Sequence, residues 1–118
     1  MAFQFCTKES ETTPASTEIS FTWTNPALND TISFNESLHV DAVIMANVNL
    51  DGYAVYIWDS INDSIYYQAK YDLQTNHYIV HEHWLNQIND TVGMKVIVQI
   101  QKNDNTFQQF HRKVFCMP

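Results

Sequence analysis

From Leu38 onward the chain places apolar side chains at every second position, a period that suits a strand and defeats a helix. Leu38, Val40, Ala42 and Ile44 form one run. Tyr53, Val55 and Ile57 form a second, Tyr78 and Val80 a third, and Met94, Val96, Val98 and Ile100 a fourth. Side chains on a strand point alternately to its two faces, so a repeat of two marks a strand buried on one side. Clusters of turn-forming residues at 49–52, 59–63, 72–76 and 102–105 separate the runs. Turns spaced by roughly 8–12 residues belong to sandwiches and barrels. No segment holds a helical period over about eleven residues. The chain reads as all-β.

Its 118 residues suffice for one core, and 45% hydrophobic with 14% aromatic content supplies that core. Six basic against thirteen acidic residues leave a net charge of -7. Such a surface repels a phosphate backbone and an anionic bilayer, which argues against nucleic-acid and membrane-surface binding. Lys95, Lys102, Arg112 and Lys113 crowd into the last quarter, and this skew reads as a solvated face. No apolar run approaches the roughly 18 residues of a membrane-spanning helix.

Residues 7–18 carry no large apolar side chain. Residues 1–18 therefore read as a polar tether and 19–118 as the folded domain. A polar tether directly after Cys6 is similar to the start of a mature bacterial lipoprotein, although Phe3-Gln4-Phe5 departs from the small residues that precede such a cysteine. That pattern favours an exported protein, periplasmic or outer-membrane-associated, with a lipid anchor on Cys6 of the precursor. Cys6 and Cys116 stand as two unrelated thiols or as a disulfide closing a loop of about 110 residues. Four Asn-x-Ser/Thr sequons begin at Asn29, Asn35, Asn62 and Asn89, and turn preference accounts for them.

The strands fall near 19–24, 31–34, 38–46, 53–59, 65–71, 77–84, 94–102 and 106–116, with one helical turn expected over 85–90. With two glycines in the chain, Asn and Asp must take the left-handed turn positions. About seven or eight strands in this length resemble an immunoglobulin-like or fibronectin-III-like antiparallel β-sandwich. More narrowly, Asp51-Gly52-Tyr53-x-Val55-x-Ile57-x-Asp59 and the strand from His77 to Trp84 resemble small Ig-like domains of Bacteroidetes lipoproteins and secreted proteins. Those domains mostly lack an assigned biochemical role. The resemblance implies a module of the cell envelope; fold likeness alone carries no activity.

Alternation turns Leu38, Val40, Ala42 and Ile44 inward and His39, Asp41, Val43 and Met45 outward. It likewise buries Tyr53, Val55, Ile57, Tyr78, Val80 and Trp84, leaving Tyr56, Trp58, His77, Ile79, His81 and His83 outside. No nucleophile elbow or phosphate-cradling loop exists, and Glu82 and Asp41 read as isolated surface carboxylates. The reading is non-enzymatic, with no cofactor required. Tyr56, Trp58 and Tyr66 are expected to share an outer face, an aromatic patch able to stack on a carbohydrate or pack against a protein. The alternative is metal binding. His81 and His83 share one face, and antiparallel pairing of their strand with 38–46 brings His39 towards them. Three imidazoles suit Zn²⁺ or Cu²⁺.

Overall fold

The computed structural model describes residues 17–118. Six strands follow in order: β1 (Ile19–Asn25), β2 (Asp30–Ser33), β3 (Ser37–Asp59), β4 (Ser64–Leu85), β5 (Val92–Gln101) and β6 (Phe107–Met117). β3 and β4 form one long antiparallel ribbon that bends and serves two layers. In the first layer, residues 37–46 of β3 lie between β1 and residues 77–85 of β4. In the second, residues 50–59 of β3 lie between residues 64–75 of β4 and β5, and the sheet continues through β6 to β2. Two strands that each act twice turn six strands into eight segments. Seven or eight separate strands were the expectation; the turns foreseen at 49–52 and 72–76 are strand corners instead.

The bend has a local cause. Between Met45 and Leu50 the ribbon advances five positions on β3, while β4 advances only two, from His77 to Thr75. Such unequal counts are bulges, which bend and twist a sheet. Leu50 and Leu73 are buried at this corner and hold it by apolar contact. Here Gly52 has a steric task. A Cβ on it would stand 2.8 Å from the carbonyl oxygen of Tyr71.

The layers close over one core. Val40, Ile44, Val55, Ile57, Val80, Val96 and Val98 are all at most 1% exposed, as the alternation predicts. Phe21 of β1 stacks on Phe110 of β6 with ring centroids 4.3 Å apart, and the Arg112 guanidinium lies 5.3 Å from the ring centre of Trp23. Both contacts join opposite layers. Asn29, Asn35, Asp63 and Asn105 adopt positive φ angles while neither glycine does, so amide and carboxylate residues take the left-handed turns.

Segment 86–90 is irregular, contrary to the helical turn expected there. Asn86 explains the difference. It is fully buried, and its side chain donates to the Ile32 carbonyl at 2.9 Å and accepts from the Ile88 N–H at 2.9 Å. These bonds replace a helical ladder. Residues 17 and 18 are already attached to the body, with the Glu18 N–H donating to Asn47 Oδ1 at 2.9 Å. Residues 1–16, including Cys6 and nearly all of the tether, lie outside the described residues. Cys116 is a buried free thiol with Sγ 3.8 Å from Met94 Sδ, and burial pushes its pKa up to about 11.

The chain enters and leaves at opposite poles. Ile19 pairs with Ala46 at the ribbon's corner, beside the β5–β6 turn, where Thr17 bonds Asn103. Cys116 pairs with Val92 at the other pole, where Asp59 and Ser64 close the β3–β4 hairpin. Gly52→Ala should lower the urea midpoint by about 1–3 kcal/mol equivalent, because a backbone carbonyl cannot yield as a side chain does. Gly93→Ala, whose Cβ would meet the Phe115 ring at an ordinary 3.6 Å, should be far milder.

Candidate binding surface

The second layer presents an outer face built from the strand register. Opposed residues share a face of a sheet, so three rows can be followed across β4, β3, β5 and β6. Ile65, Trp58, Lys95 and Lys113 make one row. Gln68, Tyr56, Ile97 and His111 make the next. Lys70, Ala54, Gln99 and Gln109 make the third. Tyr56, Trp58, Ile65, Ile97 and Gln109 line a shallow depression at its centre. Ile65 is 55% exposed, and Tyr56 and Trp58 are half-buried. The Trp58 indole N–H donates to Asp63 Oδ1 at 3.2 Å, and the Gln109 amide donates to Gln99 Oε1 at 2.7 Å. Ring and amides are thereby held in set orientations.

Tyr56 and Trp58 point where the alternation puts them. Tyr66 does not join them. Ile57 pairs with Tyr67 and Trp58 with Ile65, so Tyr66 is the extra residue of a bulge and its ring turns to the sandwich end. There its hydroxyl donates to Asp59 Oδ2 at 3.3 Å and its ring stacks with Trp84, centroids 6.0 Å apart. Ile65 takes the outer position in its place. Ile97 was legible in the sequence, as the apolar residue on the wrong side of the run from Met94 to Ile100.

The histidines lie on the outer face of the first layer. β3–β4 pairing sets His39 opposite His83 and Asp41 opposite His81, as the strand assignment foresaw. His39 and His83 have ring centroids 6.1 Å apart, whereas His81 Nδ1 is paired with the Asp41 carboxylate, which also accepts from Asn25 at 3.0 Å. His81 is thus drawn to its neighbour across the ribbon and away from the other two rings. Among the described residues, no three His, Cys, Asp or Glu side chains gather as a metal-holding group.

Two carboxylates are more than surface charges. Glu82 shares the inner face with Val80 and accepts the hydroxyls of Tyr67 and, at 3.3 Å, Tyr71. Tyr53, stacked on Tyr71 and tilted against Tyr78 with ring centroids 5.1 Å apart in both pairs, completes an aromatic wall around it. Burial first, then donation to Glu82, pushes the Tyr67 pKa up to about 12. Asp59 has no exposed surface; its carboxylate accepts the Asn62 side chain at 2.6 Å, the N–H groups of Asn62 and Ile61, and Tyr66. The Asn62 amide, foremost among these donors, holds the Asp59 pKa below the ordinary carboxylate value against the opposing effect of burial. A depressed pKa stabilises the fold above the unfolded value of about 3.9 and loses that contribution as pH falls through the folded value. Asp59→Asn should therefore be less stable at neutral pH and show a shallower loss in urea midpoint below about pH 4. For Tyr67 the sign reverses. Its stabilisation holds below the unfolded value of about 10 and is lost as pH rises towards 12, so Tyr67→Phe should flatten the alkaline limb of the same measurement.

No protein-family model and no curated protein matches the chain. Among solved structures, the fibronectin(III)-like modules of Clostridium thermocellum CbhA match with a TM-score of 0.55 at 14% identity, covering 85% of this chain and 47% of that one. The described chain thus spans about half the length of that structure. A CARDB domain from Pyrococcus furiosus, in complex with di-metal ions, matches with a TM-score of 0.44 at 10% identity over 87% of this chain and 94% of that one. A β-glucosidase from Listeria innocua matches with a TM-score of 0.49 at 18% identity, over 84% of this chain and 16% of that one. The first of these, with the two-layer topology, defines the fold as an Ig-like, fibronectin-III-like β-sandwich. At such identities the likeness is one of fold alone.

Proposed function

We propose that this chain is a non-enzymatic binding module of the bacterial cell envelope, and that the face around Tyr56 and Trp58 is its contact surface. One observation carries the reading. Trp58, Tyr56, Ile65 and Ile97 form a continuous apolar cluster on the outside of a sheet whose inner face already supplies a complete core. Contiguous apolar surface on a soluble domain marks a place of contact. An aromatic ring there buries much area for little loss of side-chain freedom. The amides of Gln68, Gln99 and Gln109 surround the cluster with polar groups that fix orientation. The partner is a carbohydrate or a protein. Support for the envelope is the polar segment after Cys6, which is similar to the start of a lipoprotein.

The test is a paired array of polysaccharides and peptides probed with wild type and Trp58→Ala. Removing a central aromatic anchor should weaken a captured ligand by about 2 kcal/mol, on the order of thirty-fold in Kd. The urea midpoint should change little, because Trp58 is outside the core cluster. A ligand held equally well by the variant would assign binding to another surface.

A further inference from the structure

We infer that the occupant of this face is an acidic polysaccharide, a chain of sugar rings bearing carboxylate or sulfate groups. This rests on the reading of the Tyr56/Trp58 face as the contact surface and names its ligand class. Charge carries the argument. The three rows offer twelve positions, and these hold Lys70, Lys95, Lys113 and His111 but no Asp or Glu, although the chain has thirteen acidic residues. The register thus sets two of the four C-terminal basic residues, Lys95 and Lys113, on one face with Lys70. Lys95 stands next to Trp58 and Lys113 one strand further out, its ammonium 5.3 Å from the Phe115 ring centre, while Lys70 closes the diagonal corner. Arg112 points inward over Trp23 and Lys102 lies beyond the end of β5, so neither belongs to the patch. Acids appear only at the rim: Asp63 holds the Trp58 indole, and Asp72 pairs with Gly52 beyond the third row. A molecule of net charge -7 thus carries a sheet face whose twelve central positions hold three lysines and no acid.

The remaining chemistry suits sugar. A pyranose ring has an apolar C–H face that lies on an aromatic ring, and Tyr56 and Trp58 supply two such rings on one strand, about 6.6–6.8 Å apart along the backbone. Its hydroxyls need donors and acceptors, which the amides of Gln68, Gln99 and Gln109 provide. Four strands at about 4.7–4.9 Å spacing make a platform that is open at its ends, fitting an internal stretch of polymer. A nucleic-acid duplex offers anions too, but at one charge per about 1.7 Å of helix axis, a density that the chain as a whole repels. An acidic polysaccharide carries sparser charge, which three lysines can match.

The experiment is native electrophoresis of the full chain through gels containing polygalacturonate, chondroitin sulfate, neutral hydroxyethylcellulose or poly(dT), followed by calorimetric Kd measurement for any polymer that retards it. The carboxylate and sulfate gels separate the two sources of anion. Retardation by at least one acidic polysaccharide is expected. Lys95→Gln/Lys113→Gln should weaken that binding by about tenfold or more, and added salt should do the same. Trp58→Ala should weaken it as well, and circular dichroism of each variant confirms the fold. Equal retardation by hydroxyethylcellulose, unchanged in the lysine variant but lost in Trp58→Ala, would overturn the acidic ligand and leave the contact face standing. Equal or stronger retardation by poly(dT), or a dimer in solution that Trp58→Ala dissolves, would reassign the face to nucleic acid or to a second copy. No retardation in any gel would overturn the inference outright.

Discussion

The paired ribbon of β3 and β4 is the constraint on which the other contacts depend. Its two halves lie in different layers, so the corner around Leu50, Gly52 and Leu73 sets how those layers face each other. β1 docks on one half and β5 on the other, and β6 and β2 are added outward from β5. A shift of one residue in the ribbon would exchange inner and outer faces along its length. The core valines and the Tyr56/Trp58 face would then trade places. Glu82 with its two tyrosines, and the bond from Tyr66 to Asp59 across the ribbon, help pin the register.

Most of this architecture was legible in the sequence, since a half-buried strand writes its burial as a period of two. The inward sets on β3, β4 and β5 follow residue by residue, as do the outward positions of His39, His81, His83, Tyr56 and Trp58. What alternation cannot show is a bulge. A bulge inserts one residue without changing composition, so alternation alone puts Tyr66 outside and passes over Ile65. The same limit applies at 49–52 and 72–76. Asn, Asp and Gly signal a turn there, yet both segments remain paired as they round the corner. Side-chain partnerships that close over sequence distance were also invisible. Nothing near Glu82 in the sequence announces Tyr67 or Tyr71, and nothing near Asn86 announces Ile32.

The histidines show how pairing alone can mislead. Strand neighbours were inferred correctly, and three imidazoles stand on one face. Convergence needs more than a shared face. Asp41 takes His81, so a carboxylate read as an isolated surface charge divides the cluster. On the opposite layer the register has the reverse effect, gathering lysines and glutamines scattered over β4, β5 and β6 into one field around Trp58.

Entry and exit at opposite poles have a mechanical consequence. A pull on the two ends draws β1 and β6 along their own axes, away from each other. Antiparallel ladder bonds lie perpendicular to their strands, so this load reaches the β1–β3 and β5–β6 ladders in shear. The bonds must then yield together instead of opening one at a time like a zipper. The parallel β2–β6 pair clamps the last residues of β6 from the other side. A domain wired this way resists a pull along its length as one unit.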